Sequence, residues 1–525
     1  MSDTVERGIT VTEIAAMDQP IDAAPETTAA FVGRALRGPL NSPVLIHGFG
    51  EFRRRFGDVW SRSSLGPAVK QFFDHGGRNL YVVRVANDAR GAMVCLPASG
   101  SALVLRALEP GSTERVRAAV DYDGIDAGND DLFNLTLQRV DPDTRLVVDQ
   151  EMYRKLSYRQ DADSFVADAL LTSSLVRVQT PFPSHRPEPT ATSRARSGSA
   201  YVAHAQDGSD GRELSDYDLV GSRPDGRGIF ALDPVDRLDL LYLPPPGKGI
   251  DVGPAAVLAA ERYCRGRGAM LVIDPGGRCD TPQAMLQEVR DQGYASPNIV
   301  SYFPRLAFRG DGDSVPRAAG GAIAGLLCKL DRLYGPWQHL DQRGLGLSRE
   351  FVPAVSVGDD DVQLLARGGI NVVVPGPAGK ARVIGSTTLA RGSESHRALA
   401  SLAVRRLVLR IVNSIEQATR WAVFEPVDES LAKRIRSQVF AYLGGLADMG
   451  AFASDRIDVR CDAGLRGVPA GAGHGISILI AFQPHGCSKP MSLALHQSAK
   501  GFRVASTAFA PVDGGELGQS ISGSR

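Results

Sequence analysis

Only a few short strings in this 525-residue sequence combine residue types that could do chemistry, and each lacks part of its pattern. Residues 376–381 contain a Gly-Lys pair, as phosphate-binding loops do, but Ala381 has no hydroxyl group to bind magnesium. The string Gly247-Lys248-Gly249 also fails to complete that loop. No G-x-G-x-x-G run opens a helix after a strand. The sequence therefore predicts no nucleotide cofactor.

Metal-ligating residue types occur without metal-site spacing. His485, Cys487 and His496 lie near one another, but no C-x-x-C or H-E-x-x-H spacing is present. The acids at residues 359–361 are consecutive, unlike those of an EF-hand loop, and are typical of a helix N-terminus. No G-x-S-x-G nucleophile elbow occurs either. We therefore expect no metal, no catalytic residue and no enzymatic activity.

Composition restricts the class of protein further. The chain has 59 basic and 59 acidic residues, which disfavours a nucleic-acid-binding surface over the whole protein. No run of 18 apolar residues occurs, so we expect no membrane insertion, and the N-terminus lacks a secretory signal pattern. Six cysteines are too few for a disulfide scaffold, and reduced thiols fit a cytoplasm.

Strand and helix patterns alternate over much of the chain, which predicts a multidomain α/β fold of mixed α+β character, with sheets flanked by helices. A helix over residues 318–333 contains glycines that would allow close approach of a neighbour. Residues 100–228 predict an inserted, β-rich domain. The predicted segments are an N-terminal segment (1–27), a first core segment (28–99), the insertion with its flexible loop (100–228), a second core segment (229–385), a C-terminal domain (386–489) and a C-terminal tail (490–525).

Two segments suggest contacts outside the chain. Residues 9–14 predict an isolated strand rich in β-branched residues. It lies in an acidic stretch, since residues 1–20 have a net charge of −3 (1 − 4). This strand either requires a distant partner or is part of a partly ordered terminus.

Residues 405–436 predict two helices, the second of which ends at Gly444-Gly445. This range contains seven bases and four acids, a net charge of +3 (7 − 4). This basic helix pair is either a solvated face or a docking surface for an acidic protein. It lacks the interleaved aromatic residues of a nucleic-acid site.

Several strings, in their order along the chain, resemble the tail sheath proteins of contractile phage tails, R-type pyocins and contractile injection systems. Near the N-terminus they are residues 8–14 (Gly-Ile-Thr-Val-Thr-Glu-Ile), 28–34, 37–39, 51–57, 69–77 and 81–85. Nearer the C-terminus they are residues 371–374, 385–389, 404–407, 414–415 and 419–426 (Thr-Arg-Trp-Ala-Val-Phe-Glu-Pro). Residues 100–200 match poorly, as the outward-facing and most variable domain of such proteins would. The resemblance thus implies that the insertion is an outer domain, that residues 386–489 form an inner domain, and that residues 1–27 and 490–525 carry linking arms.

This resemblance implies a structural subunit that forms stacked six-subunit rings around an inner tube. A baseplate would trigger its contraction, a terminator would cap it, and shortening would drive the tube through a target envelope without nucleotide. The particle would assemble in a bacterial cytoplasm and could be released. Strand arms between subunits would involve Gly8, Ile9, Val11, Ile14, Met491, Leu493 and Leu495. We hypothesise that the tube is contacted by Arg405, Arg406, Arg410, Lys433, Arg434 and Arg436. The alternatives are a non-contractile structural tail protein and an α/β enzyme with an unrecognised site.

Overall fold

A computed structural model describes residues 20–22, 25–190, 201–203, 205–309, 316–390, 398–426, 428–462, 475–488, 490–498 and 501–504. The strand predicted over residues 9–14 lies outside the described residues. The fold is mixed α/β, as predicted. No helix in the described ranges has both the length and the apolar composition needed to cross a membrane.

Twenty-one strands are described. In chain order they are β1 (Thr28–Gly33), β2 (Val44–Ile46), β3 (Asn79–Arg84), β4 (Met93–Ala98), β5 (Ser101–Ala107), β6 (Val116–Asp121), β7 (Leu132–Val140), β8 (Val147–Ser157), β9 (Val176–Gln179), β10 (Val202–Ala203), β11 (Leu240–Tyr242), β12 (Met270–Ile273), β13 (Ile299–Phe303), β14 (Leu306–Phe308), β15 (Phe351–Pro353), β16 (Asn371–Pro375), β17 (Ala381–Ile384), β18 (Asp458–Asp462), β19 (Gly475–Phe482), β20 (Met491–Ser498) and β21 (Gly501–Val504).

The α-helices of the described ranges are α1 (Phe49–Phe56), α2 (Leu65–Asp74), α3 (Val166–Ala169), α4 (Asp216–Val220), α5 (Pro254–Arg267), α6 (Pro282–Asp291), α7 (Gly320–Tyr334), α8 (Asp359–Arg367), α9 (Leu402–Thr419) and α10 (Glu429–Asp448).

An eight-stranded sheet in the order β17-β16-β13-β12-β11-β1-β3-β2 forms the centre of the fold. Its inner strands are parallel, and the edge strands β2 and β17 are antiparallel to their neighbours. Helices α1, α2 and α7 pack on one face, while α5, α6 and α8 pack on the other. Because both faces are covered, the inner strands are nearly continuous apolar runs, which made them recognisable in the sequence.

Helix α7 approaches α2 through glycine, as its sequence predicted. A Cβ atom at Gly321 would lie 2.4 Å from the Ala68 carbonyl oxygen, and one at Gly325 would lie 2.4 Å from that of Phe72. Side chains at these two positions would therefore push the helices apart.

The inserted unit consists of two sheets, β4-β5-β9 and β10-β6-β7-β8, around its own hydrophobic core. It includes β4, which precedes the predicted boundary at residue 100. The chain enters and leaves this unit side by side, through antiparallel bridges between Arg90 and Ser209 and between Met93 and Gln206. The buried Arg84 guanidinium stabilises this junction, donating hydrogen bonds to the carbonyls of Gly38 (2.7 Å) and Pro110 (2.6 Å).

The C-terminal unit packs α9 and α10 against the antiparallel sheet β18-β19-β20-β21 around a third large core. The prediction that the second basic helix ends at Gly444-Gly445 is wrong, because α10 continues to Asp448. Leu443 and Leu446 on either side of the glycine pair are fully buried. Their burial outweighs the low helix propensity of glycine.

Candidate functional site

Half of the predicted tube-contact residues lie inside the protein. Arg405, Arg406 and Arg410 are only 7%, 6% and 5% exposed. Arg405 donates a 2.7 Å hydrogen bond from Nη2 to Oδ1 of Asn298, which lies at the start of β13. Burial lowers the pKa of Arg405 to about 10, against an opposing attraction from Glu261.

The other two arginines converge on one carboxylate of α7. Arg406 Nη2 lies 2.5 Å from Asp331 Oδ2, and Arg410 Nη2 lies 3.8 Å from the same oxygen. The Thr27 hydroxyl donates to that oxygen at 2.5 Å and accepts a 3.1 Å hydrogen bond from Arg410. This buried cluster, Asp331 with Arg406, Arg410 and Thr27, connects the C-terminal unit to the central sheet. The prediction of a tube contact is therefore corrected for Arg405, Arg406 and Arg410, because their guanidinium groups are used internally.

The remaining three bases lie on α10. Lys433 and Arg436 are exposed, and Arg434 is half-buried with its Cζ atom 5.4 Å from the centre of the Trp421 ring. Lys433 forms a 2.9 Å ion pair with Glu429, but both side chains are largely in solvent. Since residues 433, 436 and 440 are spaced by three and four, Lys433, Arg436 and the exposed Phe440 share one stripe of the helix.

A second large aromatic side chain of this unit is also exposed. Phe424, at the end of the 3₁₀ turn Arg420–Phe424 that follows α9, is 90% exposed. Exposed large apolar side chains beside cations are typical of protein interaction surfaces. We call Lys433, Arg434, Arg436, Phe424 and Phe440 the basic-aromatic surface. Its cations were recognisable in the sequence from their charge, whereas the exposure of the two phenylalanines has no signal in local sequence and was not predicted.

The predicted C-terminal arm strand is an interior strand of this chain's own sheet. β20 pairs with β19 on one side and with β21 on the other. Met491, Leu493 and Leu495 are buried in the third core. The prediction that these residues pair with another subunit is therefore corrected, because both edges of β20 already have hydrogen-bond partners. Within the described residues, the edge strands of this sheet are β18 and β21.

The N-terminal arm residues Gly8, Ile9, Val11 and Ile14 lie outside the described residues. The chain is first described at residue 20, and Ile21 packs against the core of the C-terminal unit. The first described residues of the chain therefore lie against the C-terminal unit.

The histidines and cysteine considered as metal ligands have other surroundings. His496 is buried, with Nδ1 3.0 Å from the Ser477 hydroxyl. Burial raises the pKa of Cys487, which disfavours the thiolate that binds metals. No cluster of three or more His, Cys, Asp or Glu side chains that could hold a metal ion occurs in the portion of the chain that the structure describes.

Comparison with solved structures finds the same architecture in tail sheath proteins. The sheath tail protein of Listeria innocua is 13% identical with a TM-score of 0.61, and the match covers 92% of this chain and 97% of that one. The sheath tail protein of Desulfitobacterium hafniense is 11% identical with a TM-score of 0.55, over 93% of this chain and 99% of that one.

A third similar structure is the sheath of an extracellular contractile injection system in its contracted state. The sheath of the contractile injection system PVC is 13% identical with a TM-score of 0.52, and the match covers 92% of this chain and 95% of that one. No family model matches this sequence, and no curated protein matches it. The resemblance found in the sequence motifs is thus confirmed by architecture: this chain has the fold of the tail sheath proteins.

Proposed function

We propose that this chain is the structural subunit of a contractile tail sheath. It polymerises as stacked six-subunit rings around an inner tube, and contraction drives the tube through a target envelope. The observation that carries this proposal is the likeness to sheath proteins over 92–93% of this chain and at least 95% of theirs. One of these sheaths is described in its contracted state. The energy of contraction is stored during assembly, so no catalytic site or cofactor is required.

The basic-aromatic surface is proposed as the contact with the inner tube. Its three cations would attract an acidic partner during assembly, and Phe424 and Phe440 would lose solvent exposure in the contact. Lys433 and Arg436 are on the exposed side of α10, away from the residues that fill the third core, and Arg434 is half-buried beside Trp421. The surface is therefore available without unfolding any region of the protein.

Contacts between sheath subunits are proposed to use strand addition. Residues 8–14 of one copy would pair with an edge strand of another copy's C-terminal sheet, β18 or β21. Main-chain hydrogen bonds at such an edge would connect neighbouring subunits while allowing rigid-body rotation. The packing of Ile21 against the core of the C-terminal unit supports the proposal, because the arm would then leave each copy from the unit at which copies are proposed to join. Baseplate and terminator proteins would bind the two ends of the polymer.

Negative-stain electron microscopy of the purified chain, alone and co-expressed with its tube protein, tests the proposal. We expect striated hollow cylinders in both samples, and those formed without the tube should be wider and shorter. Cylinders of one fixed length and width would instead indicate a non-contractile tail protein. A uniform field of small particles under both conditions would contradict any sheath role.

A further inference from the structure

A cavity of about 710 Å³ opens at the carboxyl edge of the central sheet. It lies where β1 and β11 are neighbours but their connections diverge, since α2 packs on one face and α5 on the other. Tyr242 at the end of β11 and Ser63 just before α2 line it. Open α/β sheets bind ligands at this topological position, and the volume suits a small molecule. We call this the switch-point cavity.

The walls of the switch-point cavity are positively charged. The described lining residues include four cations and one carboxylate, a net charge of +3 (4 − 1). The cations are Lys248, Arg278, Arg305 and Arg317, and the carboxylate is that of Asp251. Asp251 is occupied by an ion pair with Arg305, whose Nε also donates 2.8 Å to the Pro275 carbonyl.

The other three cations have no carboxylate partner among the described residues. Lys248 and Arg278 are exposed, and Arg317 is stacked 4.6 Å from the centre of the Phe308 ring. Lys248 belongs to the Gly-Lys-Gly string whose sequence does not complete a phosphate loop. The fold nevertheless brings it to the cavity with two arginines. Such a group of cations is suited to an anion of more than one charge.

A buried polar atom in the same lining also lacks a partner. Gln71 is 6% exposed, and its Nε2 donates 3.2 Å to the Ala318 carbonyl. Its Oε1 has no hydrogen-bond partner within the ranges that the structure describes. A buried acceptor without a donor is costly, and a ligand hydroxyl group would satisfy it. Helix α2 supports an anion here as well, because its first turn has no acidic residue and Ser64 forms no side-chain cap.

We propose that the switch-point cavity binds a small phosphate ester, with its phosphate group against Lys248, Arg278 and Arg317 and a hydroxyl group donating to Gln71 Oε1. A phosphate dianion matches the excess of cations better than a single carboxylate does. The inference does not depend on the sheath function, because it rests on the cavity, its charge and the unpaired acceptor. It assigns a ligand-binding role to the central sheet.

Isothermal titration calorimetry of the full-length chain with glucose 6-phosphate, at constant ionic strength, tests the proposal. We expect saturable binding with one site per chain and none with glucose. The double variant Lys248→Ala/Arg278→Ala should lose at least about tenfold in affinity, since it removes two charged contacts. The control Arg262→Ala/Arg290→Ala makes the same charge change on exposed positions of α5 and α6 and should bind like the wild type.

The hydroxyl contact has its own test. Gln71→Met should weaken glucose 6-phosphate binding about fivefold and leave methyl phosphate, which has no sugar hydroxyl, within about twofold. Thermal melting of each variant checks that it folds. Absence of saturable binding up to about 10 mM, or equal binding by the wild type and the Lys248/Arg278 variant, would overturn the proposal. Tighter binding of citrate than of glucose 6-phosphate would overturn the assignment to a phosphate ester.

Discussion

Asp331 on α7 is the carboxylate shared by Arg406 and Arg410 of α9, and so connects the central sheet to the C-terminal unit. Replacing it by Asn leaves Arg406 and Arg410 buried without a countercharge, and breaking such a buried pair costs about 3–5 kcal/mol. We expect Asp331→Asn to lower the apparent melting temperature by several degrees in a thermal scan. Asp448→Asn, at the exposed end of α10, is the matched control and should change it little. Equal melting of both variants would mean that the buried cluster does not stabilise the fold.

Cys279 is predicted to be a slow thiol despite its partial exposure. Burial, together with the hydrogen bond that its Sγ donates to Glu288 (2.7 Å), raises its pKa to about 12. At pH 8 only about one molecule in ten thousand then carries the reactive thiolate. Alkylation by iodoacetamide, followed by mass spectrometry, should accelerate about tenfold per pH unit between about pH 8 and 11.

Replacing Glu288 separates the effect of its charge on the pKa of Cys279 from the effect of burial. Glu288→Gln removes the negative charge that disfavours the thiolate, so alkylation of Cys279 at pH 8 should be faster than in the wild type. The urea-unfolded chain gives the reference rate of an ordinary cysteine. If the folded wild type reacts at that reference rate, the thiol is not protected.

At the scale of residues, the sequence showed which side chains are charged, but it did not show which of them are buried or what they contact. The excess of arginine at residues 405–436 was visible, but the partners of Arg405 and Arg406, Asn298 and Asp331, lie 107 and 75 residues earlier. Nothing within one helix distinguishes an arginine that meets such a distant partner from one that faces solvent. For this reason the prediction of a tube contact was wrong for three of its six residues.

At the scale of elements, replacing two helical glycines by alanine should change the free energy of unfolding in opposite directions. A Cβ atom at Gly444 of α10 would meet no atom within 4 Å, so Gly444→Ala should stabilise the fold by about 0.5–1 kcal/mol through lower backbone entropy. At Gly321 of α7 the Cβ atom would lie 2.4 Å from a backbone oxygen of α2, so Gly321→Ala should destabilise by about 1–3 kcal/mol. Urea unfolding of both variants measures the difference, and changes of the same sign would contradict the packing described for α7.

Elements with a strong local pattern were predicted closely. The helix predicted over residues 318–333 is α7 (Gly320–Tyr334). Strand neighbours could not be predicted, because pairing depends on contacts between distant segments. The pattern of β20 is that of a half-buried strand whether its partner belongs to this chain or to another.

At the scale of the whole molecule, the basic-aromatic surface should govern assembly on the tube. Lys433→Glu/Arg436→Glu reverses two exposed charges and should weaken tube-templated assembly, seen as shorter or fewer sheaths by electron microscopy. Arg262→Glu/Arg290→Glu makes the same charge change on α5 and α6 and is the control. Reversal of Arg405 and Arg406 is unsuitable, since it would place buried acids in the core. Unchanged sheath length in the Lys433/Arg436 variant would exclude this surface.

The N-terminal arm should matter for the polymer and not for the subunit. Deleting residues 2–15 removes the segment proposed to join neighbouring copies, and it leaves the described cores untouched. We expect a folded chain with a normal melting temperature that forms no connected sheath under the electron microscope. Normal contracted cylinders from this variant would contradict the proposed strand addition.

The side-by-side entry and exit of the inserted unit have a practical consequence. Because Arg90 bridges Ser209 and Met93 bridges Gln206, the two segments that connect the insertion to the central sheet already lie side by side. A short turn could replace the whole insertion at little cost in loop closure. Equally, a foreign domain whose termini lie close together could be spliced in at the same place. The fold thus provides a natural grafting site, at which cargo could be displayed once per subunit without rebuilding the central sheet.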